Sequence, residues 1–193
     1  MKELEVFEKY NNIMTTKEAV SEGITKVNLR VLLENQILEK VSFGVYAVKG
    51  KYIDEFYIFQ KKYTNAIFSH NTALFFHNMT ERTPIRMDVT IYNGYNPYRF
   101  KDYINVFTVK KELLNLGVVE IESPQGLIVK AYNLERCVCD LIKDKDNLDL
   151  ETVNKIIRSC VKSKDFDASI MFDYAKKLKV YDKVKQYMEA IIW

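Results

Sequence analysis

Apolar residues recur at helical spacing in the first ten positions, at Leu4, Phe7 and Tyr10. Thr15 then stands where a helix cap belongs. Glu18 follows three residues later, as in a capping box, and Ala19 and Val20 carry the helix to Gly23. Thr25 opens a third helix that runs to about Asn35. The stretch LEKVSFGVYAV has β-branched and aromatic residues on either side of Phe43-Gly44, which predicts two strands and a tight turn. Residues 1–50 therefore read as three short helices and a hairpin. Lys49-Gly50-Lys51 reads as a solvated linker.

The pattern changes after residue 51. Phe56 to Tyr63 look helical, Ala66-Ile67-Phe68 could form a short strand, and Ser69 caps an apolar helix through Asn78. Strands are expected at 85–92, 104–109, 117–122 and 127–132, with Asn93-Gly94 and Pro124-Gln125-Gly126 supplying turns. Residues 133–193 read as all-helical. Four apolar stripes carry that expectation: Leu134, Cys137, Val138, Leu141 and Ile142; Leu150, Val153, Ile157 and Val161; Ile170, Met171, Tyr174 and Leu178; and Val184, Tyr187, Met188 and Ile191. The expected fold class is α/β (α+β). A winged helix-turn-helix at 1–50 precedes a domain at 51–193, with a mixed sheet to about 132 and helices to the end.

Composition narrows this picture. The 193 residues are 48% hydrophobic and 28% charged, the balance of a globular protein, and 13% aromatic content supplies well-filled cores. Net charge is only +3, so a nucleic-acid partner must be argued from local distribution. Cys137, Cys139 and Cys160 form no disulfide framework and read as reduced thiols. The first residues lack the apolar core of a signal peptide. No apolar run approaches the roughly 20 residues a membrane span needs. A cytoplasmic protein with no membrane partner is expected.

In the N-terminal module, Leu29, Leu32 and Leu33 turn the third helix toward the core. Val27, Arg30, Val31 and Glu34 then point outward, with Asn28 on the flank. Thr25 and Lys26 sit at the helix start, where backbone N–H groups favour phosphate. Arg30 suits guanine, Asn28 suits adenine, and Val27 and Val31 suit thymine methyls. On the hairpin, Lys40 and Ser42 are candidate phosphate contacts. Acidic residues nearly balance basic ones in this module, so a solvated helix face, or a protein partner, stays open beside DNA.

The chemistry of the longer segment is sparse. His70 and His77 lie seven apart on one expected helix, but no further metal ligands stand at ligand spacing. Asp88, Glu120 and Glu122 fall on expected strands, where carboxylates can hold Mg²⁺, although Glu120 and Glu122 suit a solvated strand face equally. Cys137 falls on an apolar stripe, and Cys139 does not share its face. No phosphate loop, dinucleotide fingerprint or nucleophile elbow is present, so no catalytic residue, metal site or cofactor is assigned. Near the end, Lys155, Arg158 and Lys162 share one helix face at i, i+3 and i+7. Lys176, Lys177, Lys179, Lys183 and Lys185 add positive charge further on. Such a face can hold phosphate or an acidic protein, or simply be solvated.

Three stretches carry a likeness to a known family: ILEKVSFGVYAV; SHNTALFFHNMTERTP with RMDVTIYNG; and LGVVEIESPQGLIVKAYNLERCVCDLIKDKDNLD. With these the chain resembles the AbiEi-type antitoxins of bacterial abortive-infection (type IV) toxin–antitoxin systems. The resemblance implies that the N-terminal module binds inverted repeats in its own promoter. It also implies that the second domain opposes a nucleotidyltransferase-like toxin, without necessarily forming a stable complex with it. The chain departs from the family at Asn35-Gln36, where many relatives carry a glycine, and at Ser42-Phe43, where relatives are often arginine-rich.

The expected DNA contacts are thus Thr25, Lys26, Asn28, Arg30, Val31, Lys40 and Ser42. The expected antitoxin face is Lys155, Arg158, Lys162, Lys176 and Lys183. Expected partners are double-stranded DNA and the toxin, for a monomer or weak dimer with two copies on an inverted repeat. Glu81-Arg82, and Arg136 paired with Asp140 on a helix surface, read as structural. Two other readings remain: a winged-helix regulator whose second domain senses a ligand or dimerises, and a metal-dependent nuclease using Asp88 and Glu120.

Overall fold

The computed structural model describes residues 2–80, 82–144 and 149–192. It is a mixed α/β structure with two sheets, and no helix among the described residues is long and apolar enough to cross a membrane. The chain forms two compact units. One comprises Met1–Thr64 and Glu122–Val129, the other Asn65–Ile121 and Lys130–Trp193. The first unit thus runs past Gly50 and takes in a segment far along the chain.

In the first unit, α1 (Lys2–Lys9) ends where Asn11 and Asn12 both adopt left-handed backbone, at φ 54 and 63. Their short polar side chains tolerate that region better than most. The double turn sends the chain into β1 (Ile13–Thr15), a strand too short for the apolar pattern to have shown. Thr15 caps α2 (Thr16–Ser21) with the expected capping box: its hydroxyl accepts from Glu18 N, and Glu18 reaches back to Thr15 N at 2.8 Å. Thr25 caps α3 (Lys26–Glu34), whose N–H at Asn28 donates to the Thr25 hydroxyl at 3.1 Å. The helix stops at Asn35, and Gln36 takes the left-handed turn at φ 55 that a glycine would take without strain.

The hairpin is β2 (Leu38–Ser42) and β3 (Val45–Val48), turning at Phe43-Gly44 as expected. Strand order is β1-β3-β2, antiparallel, with Met14 opposite Tyr46 and Lys40 opposite Tyr46 on the other side. Alternation places Met14 with Phe7, Ala19, Ile24, Leu29 and Leu38 on one face of this sheet. Ile13, Val45 and Ala47 meet Ile58 of α4 (Glu55–Lys62) on the other. Asp54 caps α4 by accepting from Tyr57 N at 3.1 Å, and also accepts the Ser123 hydroxyl at 2.5 Å.

The larger sheet, most of whose residues belong to the second unit, has the order β6-β5-β4-β8-β7. Its strands are β4 (Ile67–Phe68), β5 (Asp88–Tyr92), β6 (Asn105–Val109), β7 (Val118–Glu122) and β8 (Ile128–Tyr132). β4 runs antiparallel to β5 and parallel to β8, and β5 is parallel to β6. The helices are α5 (His70–Phe76), α6 (Leu134–Asp144), α7 (Leu150–Lys162), α8 (Ala168–Lys177) and α9 (Tyr181–Ile192). Helix α6 is central, with every residue from Leu134 to Ile142 buried, charged ones included.

That burial corrects one expectation. Arg136 and Asp140 do pair, at 2.9 Å, but in the interior, where the Arg136 side chain is 0% exposed. Its Nη1 donates to the Leu113 and Leu116 carbonyls at 3.2 and 3.0 Å, and its guanidinium lies 4.2 Å from the Tyr132 ring centre. Glu135 is buried as well and accepts from Asp167 N at 2.8 Å. The apolar stripes also turn slightly from the expected ones. Helix α7 buries Val153, Ile156, Ile157 and Cys160, while Leu150 stays exposed; α8 buries Met171 and Ala175 and leaves Ile170 exposed. The elements packed alongside decide which arc is covered, and sequence spacing does not register them.

Candidate nucleic-acid interface

Helix α3 presents the face that periodicity predicted. Leu29 is buried, Leu32 and Leu33 pack on the core, and Lys26, Val27, Asn28, Arg30, Val31 and Glu34 are exposed. Val27 is 71% exposed, a high value for a β-branched apolar residue. The polar groups on this face are not idle. Arg30 Nε is 2.8 Å from Glu34 Oε1, with both side chains well exposed. A surface i, i+4 pair of this kind contributes about 0.3–0.5 kcal/mol, so the Arg30 guanidinium is released from Glu34 at small cost. The Asn28 amide donates to Glu3 Oε1 at 3.4 Å, and its oxygen meets the Thr25 hydroxyl. Thr25 is thus occupied as a cap.

On the hairpin, Lys40 lies 5.1 Å from the centre of the Phe43 ring. Ser42 is half-buried, and its hydroxyl accepts from Lys62 Nζ at 2.9 Å. Lys62 was not among the expected contacts. It belongs to α4, beyond the expected linker, and no local pattern ties it to the hairpin. Nearby, Lys61 Nζ pairs with Glu18 at 2.7 Å, and this contact, with Thr15 N–H, outweighs partial burial and holds the Glu18 carboxyl below its usual range. Lys49 donates to the Gln36 side chain at 2.7 Å.

In the second unit, Lys155, Arg158 and Lys162 do share one exposed face of α7. With Glu151, Asn154 and Ser159 they line an open groove of about 600 Å³. None of the three takes part in an ion pair among the described residues. Lys176 and Lys183 stand on α8 and α9 and do not line that groove; Lys176 is 3.4 Å from Asp173 and 5.7 Å from the Tyr181 ring centre.

The other candidate residues take structural places. Asp88 is 1% exposed; its two oxygens accept from Asn71 N at 2.9 Å and Asn105 Nδ2 at 2.7 Å. Glu120 is exposed on β7, and β4 and β8 stand between β5 and β7. At about 4.8 Å per strand the two carboxylates cannot share one ion. The two histidines stand at the two ends of α5, His70 as its first residue and His77 at its C-cap. His70, at φ 47, stacks on Phe107 at 3.5 Å and approaches Ser69 and Asp144. That contact is the main cause lowering the Asp144 carboxyl. His77 Nε2 donates to the Tyr132 carbonyl at 2.9 Å, and burial pushes its pKa down. All three cysteines are buried; desolvation pushes Cys139 and Cys160 up to about 12, and Cys137 upward as well. Glu81 lies outside the described residues, while Arg82 is exposed.

No family model matches this chain, and no curated protein matches it. Among solved structures it is similar to the RV2827C protein from Mycobacterium tuberculosis, known from a crystal structure. The identity is 12% and the TM-score 0.45, over 89% of this chain and 72% of that one. At that level of likeness, function has to be argued from the residues themselves.

Proposed function

We propose that this chain is an antitoxin and autorepressor of a bacterial abortive-infection system, acting in the cytoplasm and without catalytic chemistry of its own. Residues 2–48 act as a winged helix-turn-helix that docks α3 in the major groove of its own promoter. The α7 face opposes a nucleotidyltransferase-like toxin. The observation that carries the DNA half is the order α1-β1-α2-α3-β2-β3 together with the outward face of α3, where Lys26, Val27, Arg30 and Val31 stand exposed. Helix, strand, two helices and a hairpin in this order match the winged-helix plan. Apolar and guanidinium groups on one helix face suit thymine methyls and guanine edges. The toxin half is supported by the three basic residues of α7 without ion pairs among the described residues, and by the family resemblance of the three stretches quoted above.

The test has two arms. An electrophoretic shift compares the full chain, Arg30→Ala and the triple variant Lys155/Arg158/Lys162→Ala on the promoter of the chain's own gene and on random duplex. Arg30→Ala is expected to weaken promoter binding about 5- to 150-fold, the range for one base-reading arginine. Co-expression with the nucleotidyltransferase-like protein encoded beside it reads the second half: the wild-type chain restores growth and the triple variant does not. Equal binding of promoter and random duplex would end the autorepressor reading. Absence of growth rescue by the wild-type chain would end the antitoxin reading.

A further inference from the structure

The tip of the β2–β3 hairpin carries an aromatic ring that is 77% exposed, Phe43. One exposed apolar side chain is ordinary on a protein surface. Here three further features accompany it.

First, the tip is held in place. Gly44 takes φ 72, and its carbonyl accepts from Thr16 N at 2.8 Å and from the Thr16 hydroxyl at 3.3 Å. A β-bulge between Lys40 and Ser42 bends β2 just before the turn. Second, a cation stands beside the ring on its own strand, with Lys40 Nζ 5.1 Å from the ring centre. Third, a second cation arrives from α4, where Lys62 Nζ donates to the hydroxyl of Ser42, the residue before Phe43. The ring therefore stands on a turn whose backbone is fastened to Thr16, with one ammonium group over the ring and a second held at the preceding residue, so little backbone ordering remains to be lost on binding.

A bare aromatic ring on a hairpin tip that also carries Lys40 and holds Lys62 matches an object with an apolar stack between two lines of negative charge. Duplex DNA offers this at a base step, with phosphates on either side of the minor groove. We infer that Phe43 is a wedge that enters the minor groove and partly unstacks one base step, while Lys40 and Lys62 hold the flanking phosphates. This rests on the DNA-binding reading above and adds how the hairpin takes part. It also explains how a wing without arginines can contribute: part of the phosphate attraction is replaced by stacking on a base.

The experiment uses the full chain and duplexes of its own promoter carrying 2-aminopurine at successive positions. Fluorescence of that base rises when its stacking is lost. The wild-type chain is expected to raise the signal at one step per bound copy. Phe43→Ala abolishes the rise and weakens binding about tenfold, whereas Phe43→Leu retains most of both because apolar bulk is what enters. Far-UV circular dichroism and melting stay unchanged in both variants, since the ring is exposed.

If the wild-type chain binds with no rise at any step, or if Phe43→Ala binds and unstacks like wild type, the wedge is wrong. The DNA reading then still stands, provided Arg30→Ala weakens binding. If the wild-type chain binds no duplex, the DNA reading itself falls and the wedge with it. If Phe43→Ala instead converts a dimer to a monomer in sedimentation and leaves DNA binding intact, the tip is a contact between copies and the wedge is overturned.

Discussion

Replacing Arg136 by methionine removes a charge from a fully buried position of α6. The side chain is 0% exposed, and its partner Asp140 is 5% exposed. The substitution leaves the Asp140 carboxylate desolvated and without its cation. Breaking one side of such a pair costs about 3–5 kcal/mol. The Leu113 and Leu116 carbonyls each lose a charged donor as well. Because methionine restores some packing against Tyr132, the whole loss should be about 4–6 kcal/mol rather than the sum of the parts. For a chain of this size that corresponds to a fall in melting temperature of about 10–20 °C. The informative comparison is the double variant Arg136→Met/Asp140→Leu. It buries no charge, so it should recover at least about 2 kcal/mol relative to the single variant. Urea unfolding followed by circular dichroism measures all three. A single variant within about 1 kcal/mol of wild type, or a double variant no better than the single, would refute the claim that a desolvated carboxylate dominates the cost.

Three further predictions concern Gly117, the buried thiols and His77 of the second unit, with Gly126 of the first unit as a control. Gly117→Ala should cost about 3 kcal/mol or more, because an added Cβ would lie 2.7 Å from Asn133 Oδ1 and 2.8 Å from Arg136 Cβ, at φ 81. Gly126→Ala, with φ 79 and nothing within 4 Å, is the control, and urea midpoints should show it losing only about 1 kcal/mol. The three thiols should react with Ellman's reagent only after denaturation, because burial keeps them protonated; rapid labelling of the native chain would contradict this. Burial lowers the pKa of His77, so the unfolded chain binds its proton more readily. The stability this supplies is complete above the ordinary histidine value of about 6.5 and is lost as pH falls below it. Between about pH 7.5 and 5.5, His77→Gln should therefore lose less stability than wild type; parallel curves would show that His77 is not the group responsible.

What the sequence determined was mostly local. The Thr15-Glu18 capping box, the Thr25 cap, the turn at Phe43-Gly44 and the outward face of α3 each depend on residues within a few positions of one another. Their hydrogen bonds close inside one turn of helix or one hairpin, so spacing alone exposes them. The rise in helical apolar residues after 133 was readable for the same reason. The expected DNA face was legible as a face, but its engagements were not: Asn28 meets Glu3 from α1, and Ser42 meets Lys62 from α4.

Tertiary structure decided the rest. Strand β1 has three residues and exists because β3 offers it hydrogen bonds, not because its own pattern demands a strand. The order β6-β5-β4-β8-β7 joins segments far apart in the chain, and no single segment encodes its neighbour. Arg136 and Asp140 carry the spacing of a surface ion pair. The carbonyls of Leu113 and Leu116, brought to the guanidinium by the fold, accept from it beside Asp140 and help to make burial of that charge tolerable. A local pattern reports what a residue prefers, whereas burial depends on which distant groups arrive to cover it and satisfy its charge.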